Sequence, residues 1–186
     1  MNNKRKLAVF DMDGTLFDTA EVNYCSYAEA AGQLGYKLDR EKFLEIFVGK
    51  NYKEFLPEFG IIQSAELHKI HELKKEYYPK FLGKVKKNEA LFELIESIKK
   101  DYIIALATTA SRKNVLDILA FFDLESKFDF MITQEDTSKL KPDPECYIRA
   151  MEKAGVSASK TIIFEDSEVG IKAARESGGY VVKVSM

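Results

Sequence analysis

The stretch Leu7-Ala8-Val9-Phe10-Asp11-Met12-Asp13-Gly14-Thr15-Leu16-Phe17-Asp18 decides the fold. Four apolar residues run straight into two carboxylates spaced two apart, and a glycine follows that lets the backbone turn sharply. A short, continuous apolar run is the pattern of a strand buried on both faces of a parallel sheet. If the strand stays extended, its period of two aims Asp11 and Asp13 to the same side. Ligands of open α/β sheets bind at the carboxyl ends of the strands, and this is such an end.

Four more runs of the same texture lie at 103–107, 128–133, 161–164 and 180–184. Helical patterns separate them. Leu91, Leu94, Ile95 and Ile98 share one face over 88–100, and Val115, Ile118, Leu119 and Phe122 share another after a Ser111 N-cap. Pro144 suits the first turn of a helix that Gly155 ends, and Ser167 caps one that Gly178-Gly179 ends. Strands alternating with helices predict βαβ units and a right-handed, doubly wound parallel sheet. The first interval breaks the rhythm, because roughly 90 residues separate Phe10 from Ile103, far beyond the usual dozen or more of one crossover. Helical starts follow one another there, at Thr19, Asp39, Asn51 and Ser64, with the last helix reaching about Leu82. The expected organisation is an α/β core over 1–17 and 83–186 with an all-helical insertion over 18–82.

Composition excludes several classes. The 28 Lys and Arg nearly balance 30 Asp and Glu, so there is no electrostatic footprint for nonspecific nucleic-acid binding. Hydrophobic residues at 46%, with 13 Phe and 9 Tyr, supply a core and argue against disorder. No apolar run approaches the roughly 18 residues of a membrane span. The basic start Met1–Lys6 is followed only by Leu7 to Phe10 before Asp11, short of the about 7–15 apolar residues of a secretory signal. Two distant cysteines, Cys25 and Cys146, fit a reduced compartment. The expectation is a cytoplasmic protein with no nucleic-acid or membrane partner.

Chemistry gathers at four strand ends. The first gives Asp11 and Asp13, and the second gives Thr108-Thr109-Ala110-Ser111, hydroxyls and helix-start N–H groups suited to a phosphate. The third leads to Lys139 and Lys141, the latter in the proline-stiffened Lys141-Pro142-Asp143-Pro144, and the fourth gives Glu165-Asp166-Ser167. Carboxylate oxygens at this density suit Mg²⁺.

In that order the motifs resemble those of the haloacid dehalogenase-like phosphohydrolases. Asp11-x-Asp13-Gly14-Thr15 resembles the first family motif, Thr108 the second, Lys141 the third and Glu165-Asp166-Ser167 the fourth. The helical insertion is similar to the family's small cap. The run from Glu165 to Ala174 resembles the subgroup of phosphoglycolate phosphatases and β-phosphoglucomutase. The resemblance covers essentially the whole chain.

It implies a Rossmann-like sheet of strand order 3-2-1-4-5 and a phosphoric monoester hydrolase acting on a small phosphorylated metabolite. In the family, Asp11 would be the nucleophile, Asp13 the general acid and base, and Thr108 and Lys141 would hold the phosphoryl oxygens. Mg²⁺ would be held by Asp11, the Asp13 carbonyl and Asp166, with Glu165 assisting. Thr15, Thr109 and the loop residues Gly49, Lys50 and Asn51 are the expected substrate contacts. β-Phosphoglucomutase-like transfer is the alternative, weakened by Asn23 and Tyr52 where that family carries His and Arg. A non-catalytic phosphate-binding partner or signalling module is the alternative from another class. A monomer is expected, with a dimer covering the last strand's edge as the other possibility. His68 and His71, three apart, read as a solvated or partly packed helix face, because two histidines alone make a poor metal site.

Overall fold

A computed structural model describes residues 6–47 and 50–186. The chain divides into two compact units, one of residues 1–18 and 87–186, the other of residues 19–86.

The first unit is built on a five-stranded parallel sheet. Its strands are β1 (Lys6–Phe10), β4 (Tyr102–Ala107), β5 (Phe130–Ile132), β6 (Thr161–Glu165) and β7 (Tyr180–Lys183), ordered β5-β4-β1-β6-β7 in space. Numbered among themselves along the chain, the five strands run 3-2-1-4-5. Two-residue strands, β2 (Phe17–Asp18) and β3 (Lys86–Lys87), lie outside this sheet.

The helices of this unit are α5 (Glu89–Ile98), α6 (Arg112–Phe121), α7 (Glu145–Ala154) and α8 (Glu168–Glu176). Alternation in the central strands serves both faces of the sheet. Leu7, Val9, Ala105, Ala107 and Ile163 pack with Tyr147, Ala150 and Met151 of α7 and with Ala173 and Ala174 of α8. The intervening Ala8, Phe10, Ile104, Leu106 and Phe164 are buried too. Burial on both faces is why these strands read as unbroken apolar runs. The helix starts follow their capping residues: Asn88, Ser111 and Ser167 accept backbone N–H groups of Leu91, Asn114 and Gly170. Gly155 ends α7 in the left-handed conformation.

The second unit contains α1 (Ala20–Gly32), α2 (Arg40–Ile46), α3 (Tyr52–Phe55) and α4 (Ser64–Tyr77). Its core is aromatic: Tyr27, Phe43 and Phe55 meet with ring centroids 5.1–5.9 Å apart among Ala30, Leu56, Ile61 and Ile70.

Three local expectations are corrected. The helix expected to reach Leu82 leaves α geometry at Tyr77 and continues as a 3-10 segment, Tyr78–Lys84, with Pro79 in its first turn. Proline lacks the N–H that an α-helix would use there. The strand expected over 128–133 is only Phe130–Ile132, because the Asp129 carboxylate accepts the Ile104 N–H at 2.8 Å where a ladder bond would form. Asp11 and Asp13 do not continue a strand. β1 ends at Phe10, and the Met12 carbonyl accepts the N–H groups of Leu16 and Phe17, so the chain curls. No helix among the described residues is long and apolar enough to cross a membrane.

Candidate active site

β1 and β6 are in register with Phe10 opposite Phe164, whose rings stack at 4.4 Å. The residue that follows each of them is an acid, Asp11 and Glu165. The Asp11 N–H donates to the Phe164 carbonyl at 3.0 Å, so backbone pairing with β6 holds Asp11 at the carboxyl end of β1.

Lys141 joins the two acids. Its Nζ donates to Asp11 Oδ1 and to Glu165 Oε1, both at 2.6 Å, and to the Ala107 carbonyl at 3.5 Å. These side chains are 5%, 8% and 1% exposed, too dry for solvent to screen them. Burial works against the Lys141 charge, yet Asp11, Tyr147 and Glu165 together raise its pKa well above the ordinary lysine value. It is a fixed ammonium. Asp11 is pushed well up by burial, with Glu165 and Asp13 adding and Lys141 opposing. A buried ion pair is weak evidence for stability. A carboxylate perturbed by desolvation and specific charges is instead a mark of a functional site.

Glu165 is a hub. Oε1 accepts from Lys141 and from the Tyr147 hydroxyl at 3.0 Å, and Oε2 accepts from the Ser167 N–H and hydroxyl at 3.0 and 3.1 Å. Asp166 accepts the Thr15 hydroxyl on Oδ1 at 2.8 Å, and burial raises its pKa. Two glycines make room for these acids. A Cβ on Gly14 (φ +87°) would meet Asp166 Oδ2 at 2.2 Å, and one on Gly170 would meet Glu165 Oε1 at 1.8 Å.

Oxygen atoms of Asp11, Glu165 and Asp166 lie within 4.8 Å of one another, and no other such group of three metal-ligating side chains occurs among the described residues. Hard oxygen donors fit a small divalent cation. The raised pKa values of Asp11 and Asp166 come first from burial, with Glu165 adding to both, so a bound cation would relieve them.

The other expected residues fall as follows. Thr108 is buried, and its Oγ1 accepts the Ala110 N–H at 3.1 Å, shaping the turn before α6, while Thr109 is exposed. The Thr15 side chain is fully buried and its hydroxyl is given to Asp166. Asp13 is half-buried and bridges to Phe17. In the helical unit Lys50 and Asn51 are exposed. Asn51 serves the backbone, capping α3 by accepting the Lys53 N–H, with Glu54 accepting its own N–H. Gly49 lies outside the described residues.

Sequence reasoning missed two residues. Tyr147 is the one polar group on an α7 face otherwise made of Cys146, Ala150 and Met151, and a buried phenol needs a hydrogen-bond partner. Gly170 sits inside a helix, where glycine costs about 1 kcal/mol relative to alanine and so points to a packing demand. His71 is half-buried: Nδ1 meets the Tyr27 hydroxyl at 2.8 Å and the ring stacks on Tyr52 at 4.0 Å.

Residues 8–184 match the family model of haloacid dehalogenase-like hydrolases. The chain belongs to that family. It is 34% identical over 177 residues to a phosphorylated carbohydrates phosphatase of Thermotoga maritima, covering 91% of this chain and 80% of the relative. It is 30% identical over 183 residues to the validoxylamine A 7'-phosphate phosphatase of Streptomyces hygroscopicus subsp. limoneus, covering 95% and 84%. Among solved structures it resembles CbbY from Rhodobacter sphaeroides in complex with phosphate, at a TM-score of 0.85 and 25% identity, covering 97% of this chain and 86% of that one. This family member therefore has its buried carboxylate–ammonium cluster at the carboxyl end of the sheet's central strand.

Proposed function

We propose that the chain is a Mg²⁺-dependent phosphatase that hydrolyses a small phosphomonoester through a phosphorylated Asp11. The observation that carries this reading is the buried Asp11 carboxylate, held through one oxygen by Lys141 beside Glu165 and Asp166. The phosphatase names of the two sequence relatives support it and put phosphorylated carbohydrates first among substrates to test.

A carboxylate and a phosphate ester repel each other, so the chain has to reduce that repulsion and fix the line of attack. Lys141 compensates the Asp11 charge and fixes its rotamer. An Asp11 oxygen forms a bond to phosphorus while the ester P–O bond breaks, and Asp13 gives its proton to the departing alkoxide. Asp13, now ionised, takes a proton from water, whose oxygen bonds phosphorus as the bond to Asp11 breaks. Inorganic phosphate and free Asp11 result. The Thr108 hydroxyl, Lys141 and the N–H groups near Asp13 and Thr109 hold the phosphoryl oxygens. Asp11, Asp166 and the Asp13 carbonyl would hold Mg²⁺, which would supply positive charge to the phosphoryl oxygens. Glu165 acts behind these groups, keeping Lys141 in place. Lys50 and Asn51 contribute to substrate choice.

The test is phosphate release from sugar phosphates, phosphoglycolate, nucleoside monophosphates and an aryl phosphate, with Mg²⁺ and with chelator. Turnover should need the metal and fall by roughly 10⁶-fold in Asp11→Asn, the scale of removing a nucleophile. Undiminished turnover in Asp11→Asn, or full activity in chelator, would overturn the mechanism.

A further inference from the structure

We infer that Tyr147 is a positioning residue that sets how the Lys141 ammonium is shared between Asp11 and Glu165. The inference rests on the phosphatase reading above and extends it to a helix residue that has no direct contact with Asp11 among the hydrogen bonds of the site.

Two contacts carry it. The Tyr147 hydroxyl donates to Glu165 Oε1 at 3.0 Å, the same oxygen that Lys141 reaches at 2.6 Å. The Tyr147 ring lies beneath that ammonium, with Nζ 4.8 Å from its centroid. One side chain therefore touches both the cation and one of its two anions. The side chain is wholly buried, so water cannot replace either contact.

The physical consequence follows from competition at one atom. A hydroxyl donating to Oε1 draws down the negative charge that Oε1 offers to Lys141, which leaves the ammonium more strongly drawn to Asp11. Without the hydroxyl, Glu165 Oε1 has only Lys141, and a buried carboxylate that loses a donor tightens on the one that remains. Lys141 then shifts toward Glu165 and away from Asp11. Asp11 approaches phosphorus with its charge less compensated, and the chemical step slows. The ring acts in the same direction by a different route. Its electron-rich face holds the ammonium between the two acids by cation–π attraction, which is strongest in a desolvated site. Lys141 is one of several groups that hold the phosphoryl oxygens, whereas its share of the Asp11 charge matters at the step of attack, so the effect falls mainly on kcat and less on KM.

The site's construction fits this role. Tyr147 stands on α7 directly after the Lys141–Pro144 loop, and its backbone N–H donates to the Pro144 carbonyl at 3.0 Å. Helix, loop and ammonium are thus one local piece. Glu165 comes from the end of β6, and its other oxygen is fixed by Ser167. The hydroxyl adds a second bond, beside the Lys141–Glu165 pair, between the two pieces.

The experiment compares wild type, Tyr147→Phe and Tyr147→Leu in the full chain with Mg²⁺ and the best phosphomonoester of the panel. Lysine ammonium groups are followed in parallel by ¹H–¹⁵N NMR, the Lys141 signal being assigned by its loss in Lys141→Gln. Tyr147→Phe keeps the ring and the packing and removes one oxygen. It should lower kcat about tenfold, hold KM within about twofold, and move the Lys141 signal while leaving the surface lysines unmoved. Tyr147→Leu should lower kcat further. Unchanged kcat in Tyr147→Phe, or an unmoved Lys141 signal, would overturn the inference. So would equal losses in kcat and thermal stability with no Lys141 shift, which is the signature of packing alone. If the wild type released phosphate from no compound, the phosphatase reading would fail by itself, and the NMR arm would still decide whether Tyr147 controls Lys141.

Discussion

In the α/β unit Asp11, Lys141 and Glu165 are buried and meet partners far away along the chain. In the helical unit Asn51 and Asp39 are exposed and serve the backbone next to them. Lys141 reaches Asp11 across 130 positions, and Thr15 reaches Asp166 across 151. Asn51 and Asp39, by contrast, accept N–H groups two and three residues away. The long-range set depends on the whole sheet being folded, so each member constrains the others. The local set constrains a single turn. A unit of the second kind can change its surface residues without disturbing its aromatic core.

Phe43→Ala tests the source of order in the helical unit and carries the largest expected effect on stability. Phe43 is wholly buried among the rings of Tyr24, Tyr27 and Phe55. Its truncation should cost about 3–5 kcal/mol in urea denaturation. A loss below about 1 kcal/mol would mean that the aromatic cluster is not what holds this unit together.

Gly170→Ala tests the long-range set. Inside a helix this change ordinarily stabilises by up to about 1 kcal/mol. Here the new Cβ would displace the Glu165 carboxylate, so a net loss of about 1–3 kcal/mol and a fall in kcat are expected. A gain in melting temperature with full activity would show that Glu165 has room to move and is not a fixed hub.

The smallest effect concerns His71. Burial, with Lys75 and Lys74 nearby, lowers its pKa to about 4. An unfolded chain takes up the proton at about 6.5. Below that pH the unfolded state binds more protons than the native one, so stability falls as pH drops from about 6.5 to about 4. His71→Gln removes the titrating group, and its melting temperature should fall less between pH 7 and pH 5 than that of the wild type. Equal falls would mean that the acid sensitivity arises elsewhere.

The strand ends are legible in the sequence because each is a local event: an apolar run, then Asp11, Thr108 or Glu165. The caps Ser111 and Ser167 are legible for the same reason. Contacts formed only by the fold are not. Nothing near Tyr147 in sequence announces Glu165, eighteen positions on. The Asp129 carboxylate takes the Ile104 N–H only once β4 lies beside it. The period of two from Asp11 to Asp13 misleads because it presumes an extended chain, whereas the Met12 carbonyl closes a turn. Asn51 is a substrate contact by resemblance and a helix start by residue type, and the N-cap is what the structure displays.

The stacked pair Phe10 and Phe164 works as a vernier for the chemistry. Their register brings Asp11 beside Glu165, and apolar packing sets the spacing of two acids that repel. Losing one residue from β1 or β6 would slide one acid past the other and turn every side chain of that strand to the opposite face. The same loss in the exposed turn 99–101, between α5 and β4, would alter only a connection. Length variation among descendants of this chain should therefore gather in its turns, and the distance from the start of each central strand to its acid should be inherited unchanged.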